Sequence, residues 1–358
     1  MALKFPIYTP SRYAGRTEPV KRPKEFACFS YDKDRNFHLG DSSLKWYYTP
    51  QLDTHLSNGF DKFVKHDDSI DEHLDGLLKT IANHEQQTGK PIDAHVVTWR
   101  GMMTKVCFMN YLLELSAGNR GYKFETLSTI PRPWGEVSRE DIENRDQEIV
   151  NNKEQYCSVV RTGFGNTIVC LGGEVDAIWD SKPETPGAPI NWVELKTSTE
   201  IRTHNDQLMF DRKLMKYWIQ SFLLGVPRII VGFRTRDGIL TRLEEYETMA
   251  IPYEVQCRGL AKWDGNVCIK FTQLFLDWLR VNINDDGVWR IRRQRGASHI
   301  ELFRVEEAGH GSIITDEFMN WRIKLELSKA KPPDLPPESA HEPTPEPEPE
   351  PAAAASSG

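Results

Sequence analysis

Apolar and polar residues alternate along two short runs, Leu171-Gly-Gly-Glu-Val-Asp-Ala-Ile-Trp179 and Ile190-Asn-Trp-Val-Glu-Leu-Lys-Thr197. That period of two predicts half-buried strands. A turn-rich insert, Ser181-Lys-Pro-Glu-Thr-Pro-Gly-Ala-Pro189, joins them. Glu174 and Asp176 fall on one face, opposed by Val175 and Ala177. Glu194 and Lys196 share a face, opposed by Val193 and Leu195. Paired as a hairpin, the two runs would crowd three carboxylates against one ammonium.

Other segments follow the same two periods. Phe26–Tyr31, Leu44–Tyr48, His95–Gly101, Gly121–Glu125, Gln155–Gly163, Arg228–Arg234, Leu240–Tyr246, Trp289–Arg295 and His299–Arg304 read as strands. In Gly121–Glu125, Tyr122 and Phe124 face one way and Lys123 and Glu125 the other, which by itself makes Glu125 solvent-facing. Ser69 opens a helix with Glu72 as its capping box and an apolar stripe of Ile70, Leu74, Leu77, Leu78 and Ile81, ended by Gly89 and Pro91. Asn205 caps a long helix to Leu224, with Leu208, Met215, Ile219 and Phe222 inward and Gly225 and Pro227 as the stop. Lys213, Lys216 and Gln220 form a polar stripe on it. That stripe is either a solvated face or the face that covers the acid-bearing sheet. Asn266–Val281 is a second apolar helix, and Ser138–Asn151 is charged and helix-compatible. Trp321–Leu327 closes the folded part.

Composition narrows the class. Hydrophobic residues make up 39% of the 358, enough for a sizeable core. No apolar run is long enough to span a bilayer, and Met1-Ala-Leu-Lys-Phe-Pro has no signal-peptide core, so membrane insertion and secretion are not expected. Six scattered cysteines without C-x-x-C read as reduced thiols, not a disulfide or zinc framework. Absence of a P-loop and of G-x-G-x-x-G argues against nucleotide-driven motors and dehydrogenases. Net charge is −7, and the tail from Lys331 holds six acids against one lysine. The body is therefore nearly neutral, and binding of nucleic acid would need a local basic groove. Residues 1–25 read as an extended arm, 26–330 as one domain, and 331–358, with nine of the 22 prolines, as a disordered acidic tail. Within the arm, Lys21-Arg22-Pro23-Lys24 is a small basic cluster that a nuclear address or plain surface would equally explain.

The central carboxylates carry the candidate chemistry. Like charges on neighbouring strand positions repel. A hard divalent cation, Mg²⁺ or Mn²⁺, neutralises such a group, with waters and phosphate oxygens completing its shell. Scattered charge on an exposed hairpin is the plain alternative. An acid followed by E-x-K on the next strand resembles the PD-(D/E)XK nuclease pattern, with Asp176 as first acid and Glu194 and Lys196 as the pair. Arg100, at a strand end beside Gly101, and Arg161 are candidate phosphate contacts. The basic run Trp289–Arg295 fits an RNA groove or a charge-guarded edge strand.

Taken in order, Thr98-Trp-Arg-Gly101, Gly121-Tyr-Lys-Phe-Glu125, Gly173-Glu-Val-Asp176, Val193-Glu-Leu-Lys196, and Trp218-Ile-Gln-Ser-Phe222 running into Gly232-Phe-Arg234 resemble the DXO/RAI family of RNA 5′-end decapping nucleases, most nearly its fungal RAI branch. The resemblance spans most of residues 26–325. It implies an α+β fold of two mixed or antiparallel sheets with flanking helices around a PD-(D/E)XK-like core. It implies that Glu125, Glu174, Asp176 and Glu194, with the Leu195 carbonyl, bind divalent metal, as two ions. It implies that Arg100 holds the RNA 5′-phosphate region, and that Lys196 and Gln220 position water and scissile phosphate. It further implies action on 5′-triphosphate, unmethylated-cap and NAD-type ends, a nuclear location, and partnership with an Xrn-type 5′–3′ exoribonuclease. Two rival readings share these motifs: a non-catalytic stabiliser of that exoribonuclease, and a DNA endonuclease of the PD-(D/E)XK class.

Overall fold

Two mixed sheets carry the core of the protein, and a third sheet has three strands. The structure is a computed structural model that describes residues 2–67, 69–109, 111 and 120–329. The tail read as disordered lies outside the described residues.

The five-stranded sheet has the order β3 (Phe37–Leu39), β2 (Val20–Tyr31), β7 (Gln155–Phe164), β8 (Thr167–Glu174), β5 (Val96–Trp99), with only β5 and β8 parallel. β7 and β8 form a hairpin in which Phe164 pairs with Thr167. Gly165, at φ +55, opens its two-residue turn, a conformation that suits glycine. Residues Val160, Phe164, Val169 and Leu171 bury one face of this sheet. Phe29, Cys157, Val159 and Cys170 bury the other against Leu77 and Ile81 of α1 (Asp75–Thr88). Both faces are therefore apolar, which is why β7 reads as a nearly continuous buried run.

The six-stranded sheet has the order β12 (Leu240–Glu247), β11 (Arg228–Arg234), β10 (Trp192–Thr199), β9 (Ala177–Ile178), β4 (Trp46–Tyr47), β6 (Thr129–Ile130). β10 and β11 are parallel, and α5 (His204–Leu224) makes their crossover. Leu214, Met215, Trp218 and Ile219 of α5 share one core with residues of both large sheets. Val193, Leu195 and Ile230 bury the opposite face against Phe124 and Leu127 of α3 (Arg120–Leu127). α2 (Arg100–Phe108) follows β5 directly.

Several expected boundaries move. Segment 1–25 supplies β1 (Leu3–Pro6) and the start of β2. β1 joins β14 (His299–Glu306) and β13 (Val288–Arg292) in the third sheet. Phe5 of β1 packs edge-on against Phe271 and Phe275 of α7 (Gly265–Asn282). The helix predicted from Ser69 starts at Asp75, because Ser69 bonds to Asp67 and Glu72 binds Arg35 instead of capping. Its end at Gly89, φ +68, is where the sequence puts it. Thr203, not Asn205, caps α5, in a reciprocal capping box with Asp206. The charged stretch from Ser138 forms only a short α4 (Arg139–Glu143). α6 (Ile251–Arg258) flanks α5, and α8 (Asp316–Lys329) ends the described chain. All six cysteines are free, and four of them are buried. Among the described residues no helix is long and apolar enough to cross a membrane.

Candidate active site

The expected hairpin between the two acidic runs is reduced to β9 and β10, where Ala177 pairs with Val193 and Ile178 with Trp192. The first run does not continue as one strand. β8 stops at Glu174 in the five-stranded sheet, and the Val175 amide donates to the Tyr156 carbonyl at 3.1 Å. The chain then enters the six-stranded sheet at Ala177. Glu174 and Asp176 thus stand at the junction of the two sheets instead of side by side on one strand. Two glycines precede this junction for want of space. A Cβ on Gly172 would lie 2.8 Å from the Trp99 ring, and one on Gly173 would lie 2.8 Å from Leu224 Cδ1 and 2.9 Å from Arg100 Cβ.

Glu194 is the hub. It is fully buried on β10, and Lys196 Nζ donates to its Oε1 at 2.6 Å. Arg100 Nη1, from the first turn of α2, donates to its Oε2 at 3.1 Å. Asp176 Oδ2 accepts the Leu195 amide at 2.6 Å and lies 3.9 Å from Lys196 Nζ. The Leu195 side chain points away into the core under α3. Glu174 Oε2 accepts from Gln155 Nε2 at 3.4 Å. Glu125 is on a helix, not a strand, and faces this buried group instead of solvent. Its strongest neighbours are Asp176 and Glu174. The helix forms because Phe124 and Leu127, three apart, must both reach the apolar face of β10 and β11.

Charge explains the protonation pattern. Burial pushes Glu125 well up, and Asp176 and Glu174 push it further. Burial also raises Glu174, against the pull of Arg100 and Lys196. Asp176 is raised to about 7 by burial, with Lys196 opposing and Glu194 and Glu174 adding. Burial works against ionised Glu194 too, but Lys196 and Arg100 outweigh it and hold that acid below its usual range. Desolvation would lower Lys196, yet Glu194, Asp176 and Glu125 raise it. One buried and three half-buried carboxylates therefore face two half-buried cations, so the group is short of positive charge.

That deficit and those hard oxygen donors fit a divalent cation such as Mg²⁺ or Mn²⁺. Glu125, Glu174, Asp176 and Glu194 would hold it. Among the described residues no three such side chains already stand as a ligand set. The fit is one of donor chemistry and charge.

The polar stripe of α5 faces inward. Lys213 donates to Ser198 Oγ at 3.3 Å, and the Tyr217 hydroxyl donates to the Thr197 carbonyl at 3.1 Å. Lys216 is held low by burial and by Lys196 and Arg100. Gln220, one turn on, is half-buried on that same face. Arg161 is not brought to the site. It sits opposite Cys170, four residues along β7 from the position opposite Glu174, or about 13 Å. It binds Asp93, its Nε donating to the Asp93 carbonyl at 2.9 Å. The basic run at 289–295 begins on β13, an edge strand, with Arg292 paired to Glu301, and continues past the strand's end. Two side chains that sequence patterning passed over, Gln155 and Arg35, lie beside the acids. Only a polar residue at the start of a largely buried strand hinted at Gln155.

Two spaces adjoin Glu174 and Gln155. One is a polar cavity of ≈ 40 Å³ that also touches Glu125, Asp176 and Tyr156. The other is an open cleft of ≈ 420 Å³ bordered by Tyr31, Arg35, Trp99 and Arg100. Of the four acids, the larger borders Glu174, and it borders Arg100 as well.

Comparison with known proteins agrees with this geometry. The model of the RAI1-like PD-(D/E)XK nuclease family matches residues 21–117 and 114–319. A decapping nuclease RAI1 of Chaetomium globosum is 69% identical, over 100% of both chains. The crystal structure of Candida albicans Rai1 in complex with pU5 and Mn²⁺ superposes with a TM-score of 0.82 at 30% identity, covering 90% of this chain and 100% of that one. Scheffersomyces stipitis Rai1, in complex with (3′-NADP)⁺ and calcium, gives 0.79 at 26% identity, covering 87% and 97%.

Proposed function

The chain belongs to the family of RAI1-like PD-(D/E)XK nucleases and is a hydrolase of that family, and on that premise we propose that it removes defective 5′ ends from RNA with the help of Mg²⁺ or Mn²⁺, as two ions. The observation that carries this reading is the junction of Glu125, Glu174, Asp176 and Glu194 around Lys196, which an open cleft borders at Glu174 and Arg100. When bound, the divalent cation supplies Lewis-acid polarisation of the phosphate and a lowered pKa for the attacking water.

The chain's own residues do the rest. Arg100 enters the cleft from a helix start and grips the 5′-phosphate region, exchanging part of its bond to Glu194 for phosphate oxygens. Lys196 keeps its proton and stabilises charge gathering on the phosphoryl oxygens. Glu125, raised by burial and by Asp176 and Glu174, is suited to take a proton from the attacking water once the charge of the site is balanced. Gln220 orients that water from α5. The Leu195 carbonyl would complete the set of donors that holds the cation.

The substrates proposed are 5′-triphosphate RNA, losing pyrophosphate, together with unmethylated caps and NAD-type caps, removed as a unit. The mononucleotide-repeat RNA and dinucleotide bound by the Candida and Scheffersomyces proteins support RNA and a nicotinamide dinucleotide as ligands here. We place its action in the nucleus, where it also stabilises an Xrn-type 5′–3′ exoribonuclease, on the strength of its resemblance to the fungal RAI branch. The test compares release from the three RNA ends, and from a DNA oligonucleotide of equal sequence, with Mn²⁺. Release from RNA alone supports the reading. Equal cutting of DNA would favour an endonuclease, and no release with exoribonuclease binding intact would leave a scaffold. A tagged copy excluded from the nucleus would refute the proposed location.

A further inference from the structure

Gln155 stands between the acid cluster and an arginine that the metal reading leaves unused. Arg35 lies in the turn after β2 at φ +77, a left-handed conformation that non-glycine residues adopt at a cost. Its guanidinium stacks over the Tyr31 ring at 3.8 Å. Nε and Nη2 donate to Glu72 Oε1 and Oε2 at 2.9 and 2.6 Å. Nη1 donates to the Lys153 carbonyl at 3.0 Å and to Gln155 Oε1 at 2.6 Å. The guanidinium is thus fixed on three sides before it meets Gln155.

That contact decides which way the Gln155 amide points. Arginine can only donate, so the amide oxygen must face it. The amide NH₂ is then turned toward Glu174, where Nε2 donates to Oε2. A hinge or surface tie would not need this polarity. Gln155 and Glu174 also border both the small polar cavity and the open cleft, so the pair forms the wall between them.

We propose that Gln155 is a positioning residue for Glu174, itself oriented by the Tyr31–Arg35–Glu72 clamp, and that this relay sets the carboxylate for metal binding. The inference rests on the metal reading above. Carboxylate ligands are commonly held by such outer hydrogen bonds, and losing one costs about 10–100-fold in affinity or activity. Gln155→Leu keeps the volume and removes the donor. Arg35→Lys keeps the charge beside Glu72 but cannot hold Glu72, Lys153 and Gln155 together.

The test is titration calorimetry of Mn²⁺ into the metal-free protein, with kcat and KM on 5′-triphosphate RNA measured beside it. Gln155→Leu is expected to weaken Mn²⁺ binding about tenfold or more and to lower kcat, with KM for RNA within about twofold. Arg35→Lys is expected to move both in the same direction by less. A merely structural Gln155 would lower the melting temperature without shifting the Mn²⁺ affinity of the folded protein. Wild-type protein that binds Mn²⁺ while Gln155→Leu matches it would overturn this inference alone. Unchanged Mn²⁺ binding in Arg35→Lys would overturn the clamp's part in it. Wild-type protein that binds no Mn²⁺ would instead sink the metal reading beneath it.

Discussion

Gly173→Ala separates the geometry of the site from the stability of the fold. The added methyl would stand 2.8 Å from Leu224 Cδ1 and 2.9 Å from Arg100 Cβ. Leu224 is buried, and Arg100 Cβ is the root of its side chain in the first turn of α2. Neither end can swing aside freely, so α2 must shift by some tenths of an ångström. Overpacking of this kind costs about 1–3 kcal/mol, or a fall in Tm of about 1–5 °C for a chain of this size. The catalytic cost is separate. Arg100 meets Glu194 at 3.1 Å, and a misplacement approaching 1 Å in a positioning group can cost on the order of 100-fold. Gly172→Ala is the control. Its methyl would strike the Trp99 ring at 2.8 Å and Leu77 at 3.1 Å, on the face toward α1. Both variants should lose comparable Tm by differential scanning fluorimetry. Gly173→Ala should lose at least tenfold in kcat/KM on 5′-triphosphate RNA, and Gly172→Ala several-fold less. Wild-type Tm and activity in Gly173→Ala would refute the close approach and its role in setting Arg100.

Lys196→Met leaves Glu194 only Arg100, and should cut kcat by 100-fold or more while the circular dichroism spectrum stays native. Metal-free stability should fall as pH rises from about 4 to about 7, because Glu125, Glu174 and Asp176 hold protons more tightly folded than unfolded. Mn²⁺ replaces those protons, so the rise in Tm on adding Mn²⁺ should be small at pH 5 and large at pH 7.5; an increment flat in pH would contradict the balance drawn here. Glu85→Ala removes the acceptor shared by Trp321 Nε1, Arg322 and the Ile92 amide, and should cost about 3 kcal/mol in urea melts with kcat/KM little changed.

What the sequence revealed follows from which forces are local. The ends of α1 and α5 were legible because Gly89 and Gly225 cap them in the left-handed conformation, a single-residue signal. β11 and β12 were legible because a buried strand and its antiparallel partner carry their own period. The sheet change at Val175–Asp176 was not, because alternation runs unbroken through it and only pairing distinguishes the two sheets. Gly121–Glu125 alternates over five residues, and only Leu127 brings out the helical spacing that buries Glu125. Ser69 and Glu72 had the spacing of a capping box, but Arg35, 37 residues earlier, claims Glu72. Arg161 had the right chemistry for phosphate and the wrong place along β7, which depends on register alone. Of the site, the order of acids and lysine along the chain was visible. The partner of each, and the Gln155–Arg35 support behind Glu174, belong to tertiary structure.

The central claim is that the four clustered acids and Lys196 make a metal-dependent hydrolase of RNA ends. The most direct measurement follows pyrophosphate release from 5′-triphosphate RNA by the purified protein, with Mn²⁺ or with chelator, beside a Glu174→Ala/Asp176→Ala variant whose fold is verified by circular dichroism. Release that needs the metal and is lost in the variant is the predicted result. Release that survives chelation, or persists in the variant, would contradict the account.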